Sequence, residues 1–243
     1  QKWSSMLHNL FPSKSNNWIN TFSPSFSTLG IITPYWSYPD IKIEGGWDFV
    51  KNAPLSKLAP VQGHGTHVCG IIGARDNGFG IIGVAPECSL YSLVVLDDNG
   101  SGSYNTIIKA LDWCIANKMD VINMSLGGGS DTPEFYQAIR RVYDANIPMV
   151  CAGGNGDWET GYLDFPGTYN ETISVAAVNP NFTRASFSSV GPNIDVAAPG
   201  VNIVSCTPNN TYSSYSGTSM ASPFVTGLIA IMIAKHRIFG GST

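Results

Sequence analysis

Charge is scarce in this chain. Only 12% of its 243 residues are Asp, Glu, Lys or Arg, against 43% hydrophobic residues, and the formal net charge is −4. So apolar a composition buries a core and excludes an intrinsically disordered chain. The missing basic surplus removes the electrostatic footprint of a nucleic-acid binder, so no such partner is expected. No CxxC occurs, and the five cysteines are Cys69, Cys88, Cys114, Cys151 and Cys206. An odd count without that spacing signals neither a zinc ribbon nor a disulfide framework. Free buried thiols are the expectation; they tilt the compartment toward the cytoplasm, with an extracellular one as the alternative. The longest apolar stretch, Phe224 to Ala234, reads as too short to span a bilayer, so no membrane is expected. No signal peptide is evident, and the chain begins at Gln1, as a mature form or a fragment does. No acidic residue precedes Asp40, and no internal repeat or interdomain linker stands out.

What is present is an alternation. Residues 1–37 are irregular: Trp3, Leu7, Leu10 and Phe11 suit a short amphipathic helix, Pro12 to Pro24 a loop, and Leu29 to Ile32 a buried strand. From residue 38 to 243 the pattern is regular. Leu90 to Leu96, Val121 to Met124, Ile147 to Cys151 and Ile173 to Val178 read as short apolar strands. Between them lie helical patterns. Ser103 caps one whose apolar face is Ile107, Ile108, Leu111, Cys114 and Ile115. Thr132-Pro133-Glu134 opens the next as N-cap, first helical residue and first-turn acid. Strands alternating with helices of about 15 residues predict a parallel sheet with crossover helices, whose functional residues gather at the carboxyl ends of the strands.

Three motifs carry chemistry. In Gly217-Thr218-Ser219-Met220-Ala221-Ser222-Pro223 a serine stands in the first turn of a predicted apolar helix. There the unpaired N–H groups and the helix dipole favour negative charge. The plain alternative is an N-cap. Gly63-His64-Gly65-Thr66-His67-Val68-Cys69-Gly70 places His64 at the start of another helix. His64 and His67 as paired metal ligands is the competing reading, weakened by the lack of a Glu between them. Ala152-Gly153-Gly154-Asn155-Gly156 follows a strand end, where an Asn amide can donate to an oxyanion or merely form a turn. Gly78-Phe79-Gly80-Ile81-Ile82-Gly83 matches GxGxxG, but a helix precedes it and Val84-Ala85-Pro86 follows, so it is not a dinucleotide fingerprint. Asn170-Glu171-Thr172 and Asn181-Phe182-Thr183 are sequons of a kind that arises often by chance.

These motifs, in this order, resemble those of the subtilisin family, with Tyr38-Pro39-Asp40 and Val196-Ala197-Ala198-Pro199-Gly200 extending the match over about residues 38 to 236. Val150-Cys151-Ala152-Gly153 and the unpaired cysteines look nearest to the intracellular type. The resemblance implies a three-layer α/β peptidase domain over residues 38–243, with a central, mostly parallel sheet and helices on both faces. It implies a serine endopeptidase with Ser219 as nucleophile, His64 as base, and Asn155 with the Ser219 N–H as oxyanion donors. Substrate polypeptide is expected as an added strand between Gly100-Ser101-Gly102 and Ser125-Leu126-Gly127, beside Ala152 and Gly153. A propeptide or protein inhibitor would use the same groove. Asp164 aligns with the floor of the primary specificity pocket, where a carboxylate would favour Lys or Arg; the alternative is that it faces solvent. A structural calcium ion is implied on Asp40, Asn77 and the carbonyls of Arg75, Phe79 and Ile81.

One departure is large. Counting back from Tyr38-Pro39-Asp40, the position of the family's catalytic Asp falls near Ile31, in Ile31-Ile32-Thr33-Pro34. The family's Asp shortly before the His motif is also missing, with Pro60 in that area. An impaired protease is therefore the first expectation. The alternatives are a pseudoprotease that binds peptides or a partner without cutting, and a damaged or misread copy of a protease gene.

Overall fold

The computed structural model describes residues 28–32, 39–55, 63–128, 130–156 and 163–238. The N-terminal helix and loop expected before residue 25, and Pro60, lie outside them. In chain order the elements are β1 (Thr28–Ile32), β2 (Ile43–Asp48), β3 (Ala53–Pro54), α1 (His64–Gly73), β4 (Ser89–Val94), α2 (Tyr104–Ala116) and β5 (Val121–Met124). They continue with α3 (Pro133–Asp144), β6 (Met149–Ala152), β7 (Ile173–Val178), β8 (Val196–Pro199), β9 (Ile203–Thr207), β10 (Thr211–Tyr215) and α4 (Thr218–Ile238).

Eight strands form one sheet in the order β3-β2-β4-β1-β5-β6-β7-β8. Every pairing in it is parallel except β2 with β3. The β9–β10 hairpin is a separate antiparallel pair. Consecutive side chains of a strand point to opposite faces, and the core divides accordingly. Val121 and Val150 face α1 and α4, together with Val68, Ile72, Met220 and Ile233. Ile122, Met149 and Cys151 face α2 and α3, together with Leu111, Phe135 and Ile139. Helices on both faces of a mostly parallel sheet make this a three-layer α/β fold.

The expected caps are present. Ser103 Oγ accepts from the Thr106 N–H at 3.2 Å, and Thr132 Oγ1 accepts from the Phe135 N–H at 3.2 Å. Each satisfies a donor that the first helical turn leaves open. No disulfide joins any of the five cysteines. Burial pushes the thiols of Cys69, Cys114 and Cys151 far up, so they stay protonated.

One expectation needs correction. The apolar run at Phe224–Ala234 lies within α4, which extends over 21 residues and is long and apolar enough to cross a membrane. The small residues of its first turns prolong it in a way the apolar run alone does not reveal. Thr218, Met220, Ala221, Ser222, Pro223, Thr226 and Ile229 are nevertheless buried against the rest of the protein. Its apolarity serves a core position, packed on α1 and on β5 to β8.

Candidate active site

The sheet order reverses around β1, with β4 on one side and β5 on the other. Ligands of open α/β sheets bind at the carboxyl ends of strands beside such a reversal. Ser125 follows the end of β5, Gly153 to Asn155 follow the end of β6, and the next layer brings the first turn of α4 over them.

Ser219 is the second residue of α4. Its Oγ lies 3.5 Å from the Ser125 carbonyl oxygen, too long to hold the hydroxyl firmly. Asn155 is exposed, and its Oδ1 accepts from the Thr218 N–H at 2.9 Å and the Thr218 hydroxyl at 3.1 Å. Thr218 Oγ1 in turn accepts from the Gly154 N–H at 3.2 Å. A backbone N–H only donates, so these bonds fix which end of the Asn155 amide faces inward. Nδ2 is left pointing outward as a donor. It and the Ser219 backbone N–H both lie 3.7 Å from the point where a Cβ on Gly217 would stand. Both nitrogens thus lie near Gly217, just before the start of α4. Gly154 has φ of 109°, a conformation glycine adopts freely, and this turn brings Asn155 back over α4.

His64 opens α1, and α1 packs along α4. Burial lowers its pKa, which keeps the imidazole neutral and able to accept a proton at neutral pH. Among the described residues no hydrogen bond joins His64 to Ser219. His67 plays a different part. Its Nε2 lies 3.0 Å from the Ile203 carbonyl oxygen and 3.1 Å from that of Ser213, and its ring stacks on Tyr215 at 4.3 Å. Facing two acceptors, Nε2 must carry the proton, so the ring ties α1 to the β9–β10 hairpin and is no partner to His64 in a metal pair. Among the described residues no group of three or more His, Cys, Asp or Glu is placed to hold a metal ion.

The segments expected to border a substrate differ in exposure. Gly100, Ser101 and Gly102 are exposed, on a turn that Asp97 ties by accepting from the Asn99 and Ser101 N–H groups at 2.9 Å. Across the site Ser125 is buried, Leu126 half-buried and Gly127 exposed, while Ala152 and Gly153 are buried beneath. Asp164 does not face open solvent. Cβ atoms on Gly127 and Gly154 would both lie 2.9 Å from its Oδ2, so the carboxylate stands between these two glycines. Burial raises its pKa.

The loop after α1 surrounds Asp40, which is fully buried. Its carboxylate accepts from Asn77 Nδ2 at 2.9 Å, the Ile81 N–H at 3.1 Å and the Tyr212 hydroxyl at 2.7 Å. Gly80 has φ of 69° and lies so close that a Cβ there would stand 2.1 Å from Asp40 Oδ2. The carbonyls of Arg75, Phe79 and Ile81 accept no hydrogen bond from described residues. One carboxylate and three unengaged carbonyls suit the hard oxygen chemistry of calcium. Asn77 fits only after its amide flips, since Nδ2 now faces Asp40 and Oδ1 the Phe79 N–H.

Ile31 lies in β1, opposite Ser92 of β4 and Asn123 of β5. The position counted for the family's acid therefore falls at the carboxyl end of a central strand. The nearest acids in sequence are engaged elsewhere: Asp40 as above, Glu44 with Lys42 Nζ at 2.6 Å, and Asp48 with the Val50 and Lys51 N–H groups at 3.0 and 2.8 Å. Sequence reasoning missed the roles of Thr218, His67 and Tyr212. Their partners are far away in the chain, so no local signal announced them.

The model of the Subtilase family matches residues 37–243. Subtilisin DY of Bacillus licheniformis is 44% identical over 210 residues, 85% of this chain and 75% of that protein. Subtilisin E of Bacillus subtilis (strain 168) is 45% identical over 82% of this chain and 53% of its own length. Minor extracellular protease Epr of the same organism is 40% identical over 80% of this chain and 30% of its own length. The chain thus spans about three quarters of one subtilisin it matches and about half of another. With the family model covering this site from His64 to Ser219, the chain belongs to the subtilase family.

Proposed function

We propose that this protein is a serine endopeptidase that works, at reduced rate, without the family's catalytic Asp. Ser219 Oγ attacks a peptide carbonyl carbon while His64 takes the hydroxyl proton. The carbonyl oxygen gains charge between Asn155 Nδ2 and the Ser219 N–H. The C–N bond then breaks, the amine leaves with the proton from His64, and water hydrolyses the ester. The bonding of Asn155 Oδ1 to Thr218, which brings the Asn155 amide to the residue just before Ser219, is the observation that carries this reading. A polypeptide enters as a strand between Gly100–Gly102 and Ser125–Gly127, and a propeptide or protein inhibitor occupies the same groove. The carboxylate of Asp164 between Gly127 and Gly154 supports Lys or Arg as the preferred residue before the cut. Equal cleavage after Lys and Leu in a peptide series would remove that preference.

Calcium on Asp40, Asn77 and the carbonyls of Arg75, Phe79 and Ile81 completes the reading as a structural ion that neutralises a buried carboxylate. A melting temperature unmoved by chelator would remove it. An extracellular place of action follows the name of the Epr protease rather than the thiols, four of which are buried. The peptidase unit takes in residues 38–243 together with β1 (Thr28–Ile32), which lies between β4 and β5 in its sheet.

A fluorophosphonate probe, followed by peptide mapping, tests the central claim. Labelling of Ser219 that vanishes in Ser219→Ala establishes the nucleophile. Silence at Ser219 with retained peptide binding establishes the pseudoprotease, a reading that Ile31 at the acid's position favours.

A further inference from the structure

Pro223 lies inside α4, four residues after Ser219. In a regular helix the N–H of residue 223 would donate to the carbonyl of residue 219. Proline has no N–H, and its ring crowds that same carbonyl. The regular i+4 bond to the Ser219 carbonyl is therefore missing from the helix. Ser125, reaching over from the end of β5, fills the gap: its Oγ donates to the Ser219 carbonyl oxygen at 2.8 Å.

The Ser125 hydroxyl is itself held on every side. It accepts from Asn123 Nδ2 at 3.0 Å and meets Ser222 Oγ at 2.8 Å. Asn123 is fully buried, and its Oδ1 accepts from Thr226 Oγ1 at 2.9 Å and lies 3.3 Å from Ser222 Oγ. A hydroxyl has one proton to give and two lone pairs. Giving its proton to Ser219, Ser125 receives from Asn123 and from Ser222 and has no capacity left. A saturated buried network of this kind fixes geometry, because any other arrangement leaves a polar atom unpaired. The carbonyl of Ser125 also faces Ser219 Oγ at 3.5 Å, so Ser125 brackets the nucleophile at both its backbone and its side chain.

We propose that Ser125, oriented by Asn123, is a positioning residue for Ser219, supplying the hydrogen bond that Pro223 withholds and thereby setting the direction of the nucleophile's backbone. The proposal rests on Ser219 being the nucleophile. Ser125 also begins the segment Ser125–Gly127 proposed to border the substrate, so one residue ties that edge to Ser219.

The test pairs Ser125→Ala with Pro223→Ala, singly and together. In the Pro223→Ala background residue 223 has an N–H to give to Ser219. Loss of one hydrogen bond at a reacting group predicts that Ser125→Ala lowers kcat and the fluorophosphonate labelling rate roughly tenfold with KM nearly unchanged. The same substitution in Pro223→Ala should cost much less, and Ser125→Thr, which keeps the hydroxyl, should restore most of the rate. Equal defects in both backgrounds, a change confined to KM, or no rescue by Thr overturns the proposal. Denaturant midpoints of the same four proteins provide a readout free of activity. If the wild type never labels, the nucleophile reading fails, and non-additive midpoints still uphold the Ser125–Pro223 link while additive ones reject it.

Discussion

Thr218 gives both its backbone N–H and its hydroxyl to Oδ1 of Asn155, at 2.9 and 3.1 Å. The proposed oxyanion donor is thus held by the residue immediately before the proposed nucleophile. Removing the hydroxyl in Thr218→Val leaves one of the two bonds and also deprives the Gly154 N–H of its acceptor. The expected result is a fall in kcat of roughly fivefold to tenfold with little change in KM, from one lost hydrogen bond. Thr218→Ser should stay near wild type. Asn155→Leu removes the donor itself and should cost about 100- to 1,000-fold, a magnitude taken from subtilisin's own oxyanion asparagine. Steady-state kinetics on one peptide substrate, comparing the three variants, checks the order.

Asp164 offers a pH test of specificity. Burial between Gly127 and Gly154 raises its pKa above the ordinary carboxyl value, so it protonates sooner as pH falls. Its attraction for a Lys or Arg side chain exists only while it is ionised. The ratio of kcat/KM for a Lys substrate to that for a Leu substrate should therefore be highest at neutral pH and decline toward acid. Measured as a ratio, it cancels the titration of His64, which is common to both substrates. Asp164→Asn should make the ratio small and independent of pH.

How far the sequence revealed this site follows from how local each signal was. The caps at Ser103 and Thr132, the strands Val121–Met124 and Ile173–Val178, and the helix starting at His64 rest on neighbours within a few residues, and each was legible. Ser219 and Asn155 were legible as motifs, but their convergence depends on Thr218, 63 residues from Asn155. The bonds of His67 reach 136 and 146 residues along the chain. Ser125 meets Ser219 across 94 residues. Pro223 is part of the serine motif, but its place inside the helix and the replacement of its missing donor by Ser125, just past the end of β5, have no local signal. Propensity and periodicity carry no information on such pairings.

His67 makes stability depend on pH. Its ring is buried; burial, opposed by the two carbonyl contacts, lowers its pKa to about 4. The groups facing it are His64 on the same helix, whose charge lowers it further, Tyr215 stacked on it, and the carbonyls of Ile203 and Ser213. Nε2 already holds the proton, so acid must add one at Nδ1, which is buried without a partner. The unfolded His67 binds a proton near pH 6.5, above the folded value, so the unfolded state holds more protons between these limits. Its contribution is complete above about pH 6.5 and is lost as pH falls toward 4. His67→Gln keeps an N–H for the two carbonyls and has nothing to protonate. Its melting temperature should fall less steeply than the wild type's across that window; parallel curves would show that His67 does not titrate there.

The last prediction concerns the empty acid position. In the triad the Asp does not take the proton; it orients the His and stabilises the imidazolium. At Ile31, in the strand between β4 and β5, no carboxylate is present to do so; Asp40 is bonded to the loop after α1 and to Tyr212, Glu44 to Lys42, and Asp48 to the turn that follows it. His64 is then governed by burial alone, which lowers its pKa. The acid limb of kcat/KM should accordingly fall below pH 6.5, the unperturbed histidine value, with a low plateau above it. Placing Asp at this position, Ile31→Asp, has two separable effects. An opposite charge beside the imidazole favours its charged form, so the acid limb should move to higher pH. The stabilised imidazolium should raise the plateau by orders of magnitude, up to about 3 × 10⁴, the loss that subtilisin itself shows without its Asp. Ile31→Asn, similar in shape but uncharged, should do neither. A wild type already cutting at ordinary subtilisin rates, or an Ile31→Asp variant that folds yet leaves limb and plateau in place, would show that another group supports His64.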